Sequence, residues 1–280
     1  LTLSQALQGY WLDKKLQLSK ETIRNYSYIL NSLVKHLEDK PVNEVTTQDI
    51  KAYLVHLSID KQQSNRSINT VLLVLSSFFK WASTEFEINN PVEKIQKPKF
   101  TVNKLEPFTL TEVRAMLQVE QQTWLKDMQI LLLDSGLRIS ELCSLKTEDY
   151  DQNNGRLLVK GGKGDKDRIV YLGNKAQKML WRRLANQDCV YIFETRTKEP
   201  YHRNNVHTAI HGLGKKLGIQ ANPHKYRHTF AVNFLRNGGN IKQLQEILGH
   251  TNLRTVEIYL SIADIDLERA RSYSPLDNLR

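Results

Sequence analysis

The sequence predicts a mainly α-helical protein with one small β-hairpin, in which an N-terminal helical bundle precedes a mixed α+β domain. Apolar residues recur at helical spacing through most of the chain, and one Gly-rich turn is flanked by β-branched runs. A stretch rich in Pro and Lys lies between the two regions. With 280 residues, 40% of them hydrophobic, we expect domains at 1–95 and 108–280 and a linker at 96–107.

Four helices are predicted in residues 1–95. Ser19, Thr46 and Ser64 each stand before an amphipathic run and are expected to cap its N-terminus. Asp49, three residues after Thr46, completes the pattern of a capping box. The aromatic residues of these helices are interpreted as core, and Asn-Asn-Pro at 89–91 is expected to end the bundle.

The second domain is predicted to begin with a helix capped by Thr109 and Glu112. A longer helix at 124–135 should end at Gly136, before a short helix at 139–145. Two β-branched runs at 156–160 and 168–172 enclose a Gly-rich turn and predict the hairpin. The elements predicted after it are, in order, a helix capped by Asn174 and ending near residue 186, a short strand at 190–193, a helix at 204–217, a helix that begins at Pro223, a helix capped by Asn240, the segment that holds Tyr259, and a helix at 264–273.

The net charge of +10 and the pI near 9.4 indicate a polyanionic partner, although a merely soluble basic surface would look the same. Residues 1–95 carry 11 Lys and Arg against 10 Asp and Glu, a net charge of +1, whereas residues 96–280 carry 29 against 20, a net charge of +9. Two cysteines imply no disulfide framework, and the most apolar run is too short to span a bilayer. These features favour a reducing, cytoplasmic setting and no membrane partner.

His224 and Arg227 lie three residues apart after Pro223, which suits the first turn of a helix. At this spacing both side chains occupy one helical face. A guanidinium offers a planar fork of donors matched to phosphate oxygens, and an imidazole titrates near neutral pH. The pair could therefore hold one phosphate, although either residue alone would more often be an ordinary surface or buried side chain. His228 follows the motif directly and could be structural.

Tyr259, nine residues after His250, is the candidate nucleophile. A phenol can form a covalent intermediate that divides one difficult displacement into two easier ones. Two other tyrosines are alternatives to it. Tyr226 lies inside the His-Arg motif but points away from its helical face, and Tyr273 lies 23 residues past His250, too far to be tied to the motif by spacing.

Four separated motifs resemble the signature of the tyrosine recombinases, also called the phage integrase family. They are His-x-x-Arg at 224–227, Leu-Gly-His at 248–250 with Tyr259, Gly-Leu-Arg-Ile-Ser-Glu-Leu at 136–142, and Gly-Lys-Gly at 162–164. The chain length is similar to the compact Xer-like type. The resemblance implies a SAM-like core-binding domain and a catalytic domain with a C-terminal docking tail. Tyr226 departs from the Leu that the family often has there, a change that we expect to be tolerated.

The resemblance also implies roles for individual residues. The catalytic residues would be Arg138, Lys163, His224, Arg227, His250 and Tyr259, with Glu141 in support. The two arginines would clamp the non-bridging oxygens of one phosphate. Lys163 would protonate the leaving sugar hydroxyl, with Lys166 as a competitor, although a lysine at a hairpin tip is usually just solvated. Glu141 could instead form only a local ion pair with Arg138, worth less than ~1 kcal/mol.

By the same resemblance the protein would cleave and rejoin DNA through a 3′-phosphotyrosyl link, without a metal, ATP or other cofactor. The expected partners are double-stranded DNA with a specific core site and further copies of the chain in a tetramer on two sites. A second recombinase or an accessory protein is left open. Integration and the resolution of chromosome dimers or transposon cointegrates at the nucleoid are the alternatives for its biology. The residues expected to contact DNA outside the active site are Lys20, Thr22, Arg24 and Arg66.

Two other functions fit part of the pattern. A type IB topoisomerase shares the Arg, Lys, His and Tyr chemistry, but the spacing of the motifs favours a recombinase. A catalytically silent DNA-binding regulator is disfavoured because the catalytic set is intact. A zinc site at His202, His207 and His211 is disfavoured because the His-Glu-x-x-His pattern and a nearby Cys pair are missing from the sequence.

Overall fold

The computed structural model describes residues 1–101, 106–161, 166–185, 189–249 and 254–263, and the side chains of 254 and 255 are not described. The chain divides into two compact units, Leu1–Asn103 and Lys104–Arg280. None of the helices in the described ranges is long and apolar enough to cross a membrane. Helices make up most of the described chain, as the sequence predicts.

The first unit consists of four helices. Their bounds are Leu3–Lys14 (α1), Lys20–His36 (α2), Thr47–Ile59 (α3) and Asn65–Glu85 (α4), with a 3₁₀ turn at Val42–Glu44. Ser19 and Ser64 accept hydrogen bonds from the backbone of the first turns of α2 and α4, and Thr46 and Asp49 form the predicted capping box at α3. Tyr10 of α1 and Phe78 and Phe79 of α4 are fully buried, and Trp11 and Trp81 are half-buried against the same core.

The start of the predicted linker lies along α4. Asn69 Nδ2 donates to Pro98 O and Asn65 Nδ2 donates to Lys99 O, both at 2.8 Å. Arg66, in the first turn of α4, shares a groove with Lys97, Lys99 and Phe100. Two side-chain amides therefore hold this segment against the helix.

The second unit contains eight helices and one sheet in its described residues. The helices are Leu110–Gln118 (α5), Thr123–Ser135 (α6), Ile139–Ser144 (α7), Asn174–Leu184 (α8), Arg203–Lys216 (α9), Pro223–Arg236 (α10), Ile241–Leu248 (α11) and Arg254–Ala263 (α12), and the strands are Tyr150–Asp151 (β1), Arg156–Val159 (β2) and Arg168–Tyr171 (β3). A 3₁₀ turn at Thr147–Asp149 precedes β1. The sheet is antiparallel in the order β1-β2-β3.

The predicted hairpin is confirmed by β2 and β3, and the sheet has a third strand, β1, which is only two residues long and shows no alternating pattern. Two other sequence predictions are wrong in this unit. Residues 190–193 do not form a strand, because only Tyr191 makes an isolated bridge, to Lys146. The N-cap of α8 is Gly173, whose amide donates to Asp134, and Asn174 is already helical. The predicted helix at 264–273 lies outside the described residues.

Helix α10 is central to this unit, since it packs against α6, α11 and α12. Asn222 caps it and Pro223 occupies its first turn, as the sequence predicts. Thr229 Oγ1, on the same helix, accepts a hydrogen bond from Phe108 N at 2.8 Å and thus ties in the start of the domain. The helix that carries the His-Arg motif is therefore fixed on several sides.

Candidate active site

Arg227 lies at the centre of the candidate site. Its side chain projects from α10 into the interior, where Nη1 donates to Gly136 O at 2.7 Å and Nη2 donates to Leu248 O at 2.6 Å. Burial, and then the nearby charge of Arg138, lowers the pKa of the Arg227 guanidinium to about 10. The group is thus still a cation at neutral pH, and two backbone carbonyls fix its plane.

Arg138 reaches the same site from another direction. Helix α6 ends at Ser135, Gly136 adopts the left-handed conformation with φ of 63°, and Arg138 is the N-cap residue of α7. Its half-buried side chain donates from Nη1 to Glu141 Oε1 at 3.0 Å. The left-handed glycine therefore turns the chain so that the two motif arginines influence each other electrostatically.

His224 lies on the first turn of α10, on the same face as Arg227, and is exposed. Burial of part of its ring, together with the positive charges of Arg227, His207 and Arg138, lowers its pKa below the ordinary value. His224 is therefore mainly neutral at pH 7. A neutral imidazole can both donate and accept a hydrogen bond.

Tyr259 lies on α12 with only 2% of its surface exposed. Its Oη is 2.7 Å from His228 Nδ1, across a separation of 31 residues. Burial raises the pKa of the Tyr259 phenol, and the charge of Arg227 partly opposes this effect. The candidate nucleophile therefore lies within the field of one motif arginine and in hydrogen-bond contact with an imidazole.

Glu141 does more than form the weak local ion pair that was considered from the sequence. Its two carboxylate oxygens accept hydrogen bonds from both Nη atoms of Arg168, at 2.8 and 2.7 Å, and both side chains are buried. Burial opposes ionisation of Glu141, but hydrogen bonds and charge from Arg168 and Arg138 keep the pKa of its carboxyl below the usual range. The interpretation of Glu141 as part of a purely local ion pair is therefore wrong, because Glu141 also binds Arg168, 27 residues further along the chain.

Tyr226 is held away from the site. Its side chain is buried, its hydroxyl donates to Gln129 Oε1 at 2.7 Å, and its ring packs edge-on against Phe108. Burial raises the pKa of its phenol far above the ordinary value. Tyr226 is thus a core residue.

Several predicted residues lie outside the described part of the chain. These are Lys163, His250, Tyr273 and all but the first residue of the docking tail at 263–280. Lys166, the competitor of Lys163, is described and exposed. The described residues therefore bring together Arg138, Glu141, His224, Arg227 and Tyr259.

The residues predicted to contact DNA outside the active site belong to the first unit. Lys20, Thr22 and Arg24 lie in the first two turns of α2, and the two cations are exposed. Thr22 is half-buried and bonds through its hydroxyl to Ser19. Arg66 is exposed on a different helix, α4, in the groove with Lys97 and Lys99.

Two residues of the site were missed by the sequence analysis. Arg168 occupies an inward-facing position of β3, where alternation with the buried Val170 predicts an apolar residue. That charged residue on a buried face was a usable signal. His228 was considered structural, and its contact with Tyr259 depends on the packing of α12 on α10, which no local pattern reveals.

The residues weighed as zinc ligands do not form such a site in the structure. His202 caps α9, where Nδ1 accepts a hydrogen bond from Asn204 N at 3.3 Å, and His207 and His211 are exposed on that helix. Across the described ranges there is no group of three or more His, Cys, Asp or Glu side chains that could hold a metal.

Comparison with known proteins agrees with the motifs. Residues 106–265 match the phage integrase family, and residues 14–85 match the N-terminal SAM-like domain of phage integrases. The tyrosine recombinase XerA of Thermococcus kodakarensis is 33% identical over 265 residues, which cover 92% of this chain and 90% of that protein.

Solved structures share the fold. The Tn1549 transposon integrase in complex with a circular intermediate DNA superposes with a TM-score of 0.82 at 22% identity, covering 98% of this chain and 99% of that one. A lambda integrase tetramer bound to a Holliday junction gives a TM-score of 0.78 at 22% identity, covering 90% and 78%. The matches to the family model and to XerA show that the chain belongs to the phage integrase family and is a tyrosine recombinase that carries out site-specific recombination.

Proposed function

We propose that the protein cleaves and rejoins DNA through a 3′-phosphotyrosyl intermediate formed on Tyr259. The observation that carries this proposal is the placement of the Tyr259 hydroxyl, 2.7 Å from His228 and within the field of the buried Arg227. A phenol has a pKa of ~10, so its attack benefits from a proton acceptor and from positive charge nearby. Both are present beside this oxygen.

The proposed reaction is a phosphoryl transfer between two oxygens. Tyr259 Oη attacks the phosphorus and gives its proton to His228 Nδ1. The bond to the 5′ oxygen breaks, and Lys163 protonates that oxygen as it leaves. A 5′-hydroxyl from a partner duplex then attacks the phosphotyrosine and gives its proton to Lys163. The bond to Tyr259 Oη breaks, His228 returns its proton to that oxygen, and the diester is restored. Atoms and charge balance in each half.

Arg138 and Arg227 stabilise the negative charge that develops on the non-bridging oxygens in the transition state. Donors that are already oriented stabilise a transition state without reorganisation, and both guanidiniums are held by fixed partners. His224 and His250 would donate further hydrogen bonds to the phosphate. With two guanidiniums in this role, and with the bond energy kept in the phosphotyrosine, the reaction as proposed uses neither a metal nor ATP.

For the assembly we propose residues 1–95 as the core-binding domain, 96–107 as linker and 108–280 as the catalytic domain. The related Tn1549 integrase is found in complex with DNA, and lambda integrase as a tetramer on a Holliday junction. We propose that this chain likewise binds a specific duplex site and forms a tetramer on two sites. Resolution or integration of DNA, in the cytoplasm, is the biology consistent with that activity.

The experiment that tests this function compares the wild type with Tyr259→Phe. A duplex site is first selected from random-sequence DNA by binding to the protein and is then nicked near the cleavage position. The wild type should migrate with the DNA after denaturation in detergent. Tyr259→Phe should bind the site equally well and form no adduct, because only the hydroxyl is missing.

Loss of the hydroxyl removes one hydrogen bond, so the variant should remain folded, with a stability change of about 1 kcal/mol. An adduct in Tyr259→Phe would place the nucleophile elsewhere. Strand exchange between two selected sites would distinguish a recombinase from a topoisomerase, which would only relax DNA.

A further inference from the structure

Arg168 is an arginine on the buried face of a β-strand. It is the first residue of β3, pairs with Val159 of β2, and alternates with the exposed Ile169 and the buried Val170. Its side chain is 7% exposed. Burying a cation costs free energy unless its hydrogen-bond donors are satisfied. The hydrogen-bond partners of Arg168 therefore indicate which groups it positions.

The guanidinium of Arg168 joins two elements of the site. Both Nη atoms donate to Glu141 on α7, and Nε donates to Ile247 O, in the last turn of α11, at 2.6 Å. The next carbonyl, Leu248 O, accepts from Arg227. Adjacent carbonyls at the end of α11 thus hold one arginine from β3 and one from α10.

Close packing at the end of α11 supports this geometry. Gly249 follows α11 with φ of 66°, and a Cβ on it would lie 3.2 Å from Arg168 Cδ and Nη1. The glycine therefore satisfies two demands, the left-handed conformation and the approach of the arginine.

Glu141 is shared between Arg168 and Arg138. Its Oε2 also accepts from Arg138 N at 2.7 Å, and its Oε1 accepts from Arg138 Nη1 at 3.0 Å. Because Arg168 occupies both oxygens, Arg138 contacts the carboxylate through one Nη rather than through a bidentate fork. Without Arg168, an unshared carboxylate would attract Arg138 more strongly and compete with a phosphate for it.

We propose that Arg168 is a positioning residue for the phosphate clamp: it holds Glu141 so that Arg138 is oriented by the carboxylate but not captured by it. This inference rests on the proposed function, in which Arg138 neutralises a non-bridging phosphate oxygen. Arg168 itself does not touch DNA. Its effect on the reaction passes through Glu141, Arg138 and the end of α11.

The test uses two substrates that differ in charge. One is the nicked duplex that carries the selected site, and the other has a methylphosphonate at the scissile position. Replacing a non-bridging oxygen by methyl removes a negative charge, so the methylphosphonate depends less on an oriented cation. Arg138→Ala should therefore lose much more activity on the phosphate than on the methylphosphonate.

Arg168→Met is expected to show the same selectivity. The rate of adduct formation on phosphate should fall about 10–100-fold, the size of loss that is typical when a partner that orients a metal-binding side chain is removed. The loss on the methylphosphonate should be clearly smaller, with unchanged DNA affinity. Arg168→Lys keeps the charge without the fork and should show the same pattern more weakly; it carries the comparison if the Met variant does not fold.

Arg183→Met is the matched control. Arg183 Nε donates to Ile192 O at 2.7 Å and Nη1 donates to the buried Asp127 at 3.3 Å, and Asp127 keeps Arg182 as a second partner. Arg183 thus has the same kind of network away from the site. Its loss should lower thermal stability and leave the ratio of rates on the two substrates at the wild-type value.

Each result has one meaning. If the wild type forms no adduct, the proposed function fails. If Arg138→Ala is selective but both Arg168 variants lose activity equally on the two substrates, or lose none, then the positioning role of Arg168 is wrong and the proposed function stands.

Discussion

The two units differ in what they bury. Every buried polar or charged residue in the described ranges lies in the second unit, and the set comprises Asp127, Gln129, Ser135, Glu141, Asp149, Arg168, Arg227 and Thr229. The core of the first unit consists of hydrophobic side chains, among them Phe78 and Phe79 of α4. The bundle can rely on non-directional hydrophobic burial, whereas the catalytic unit also contains ion pairs whose geometry must be maintained.

Under the proposed function, this difference follows from what each unit has to do. A clamp for phosphate needs cations whose directions are set before the substrate arrives, and direction comes from hydrogen bonds rather than from apolar contact. Arg227 is set by two carbonyls, and Arg138 by a shared carboxylate. The cost is that the second unit depends on protonation states and on exact partners.

The largest expected effect is at Arg227. In Arg227→Lys one ammonium replaces the planar fork and cannot reach both Gly136 O and Leu248 O in the same geometry. Adduct formation should fall by ~10²–10³-fold, as for loss of an oriented oxyanion donor. Single-turnover cleavage of the nicked duplex measures it. A loss below tenfold would mean that charge alone, without orientation, is sufficient at this position.

Glu141→Gln tests the difference between the two units through the free energy of unfolding. Removing one partner of a buried ion pair should cost on the order of 3 kcal/mol at pH 7. The folded-state pKa of Glu141 lies below its ordinary value of 4.5, so its contribution is fully present above pH 4.5 and is lost as the pH falls below it. The difference in unfolding free energy between wild type and variant, measured by chemical unfolding, should therefore become smaller at acid pH.

Phe78→Ala in the first unit is the control for this pH dependence. It should cost about 3–5 kcal/mol by leaving a cavity. That cost should not change between pH 7 and acid, since no titrating group is removed. If both variants respond to pH alike, the ion pair is not what distinguishes the catalytic unit.

The smallest expected effect concerns the basic surface. With a net charge of +9 against +1, residues 96–280 should contribute most of the salt dependence of DNA binding. Neutralising Lys20, Arg24 and Arg66 together should lower the salt slope by about 3, one for each phosphate contact, and leave the larger part of it. Lys51→Gln, exposed on α3, should leave the slope unchanged. If the triple variant lost most of the salt slope, the first unit rather than residues 96–280 would contribute most of the salt dependence.

The sequence alone determined what depends on neighbours along the chain. The capping box at Thr46 and Asp49, the end of α6 at Gly136, and the shared face of His224 and Arg227 are each set within four residues. Such features follow from backbone geometry and local hydrogen bonds, so a residue pattern is sufficient to predict them. The motifs also identified the family, because they are defined by residue types and by their order along the chain.

The tertiary structure decided which side chains meet. Glu141 receives Arg168 from 27 residues away, Tyr259 meets His228 across 31, and Tyr226 is removed from the candidate nucleophiles by Gln129, 97 residues distant. The two-residue strand β1 also depends on its partner β2 and has no pattern of its own. These contacts arise because burial of apolar faces brings separate elements together, and the hydrogen bonds of a buried charge are then chosen among whatever groups that packing places within reach.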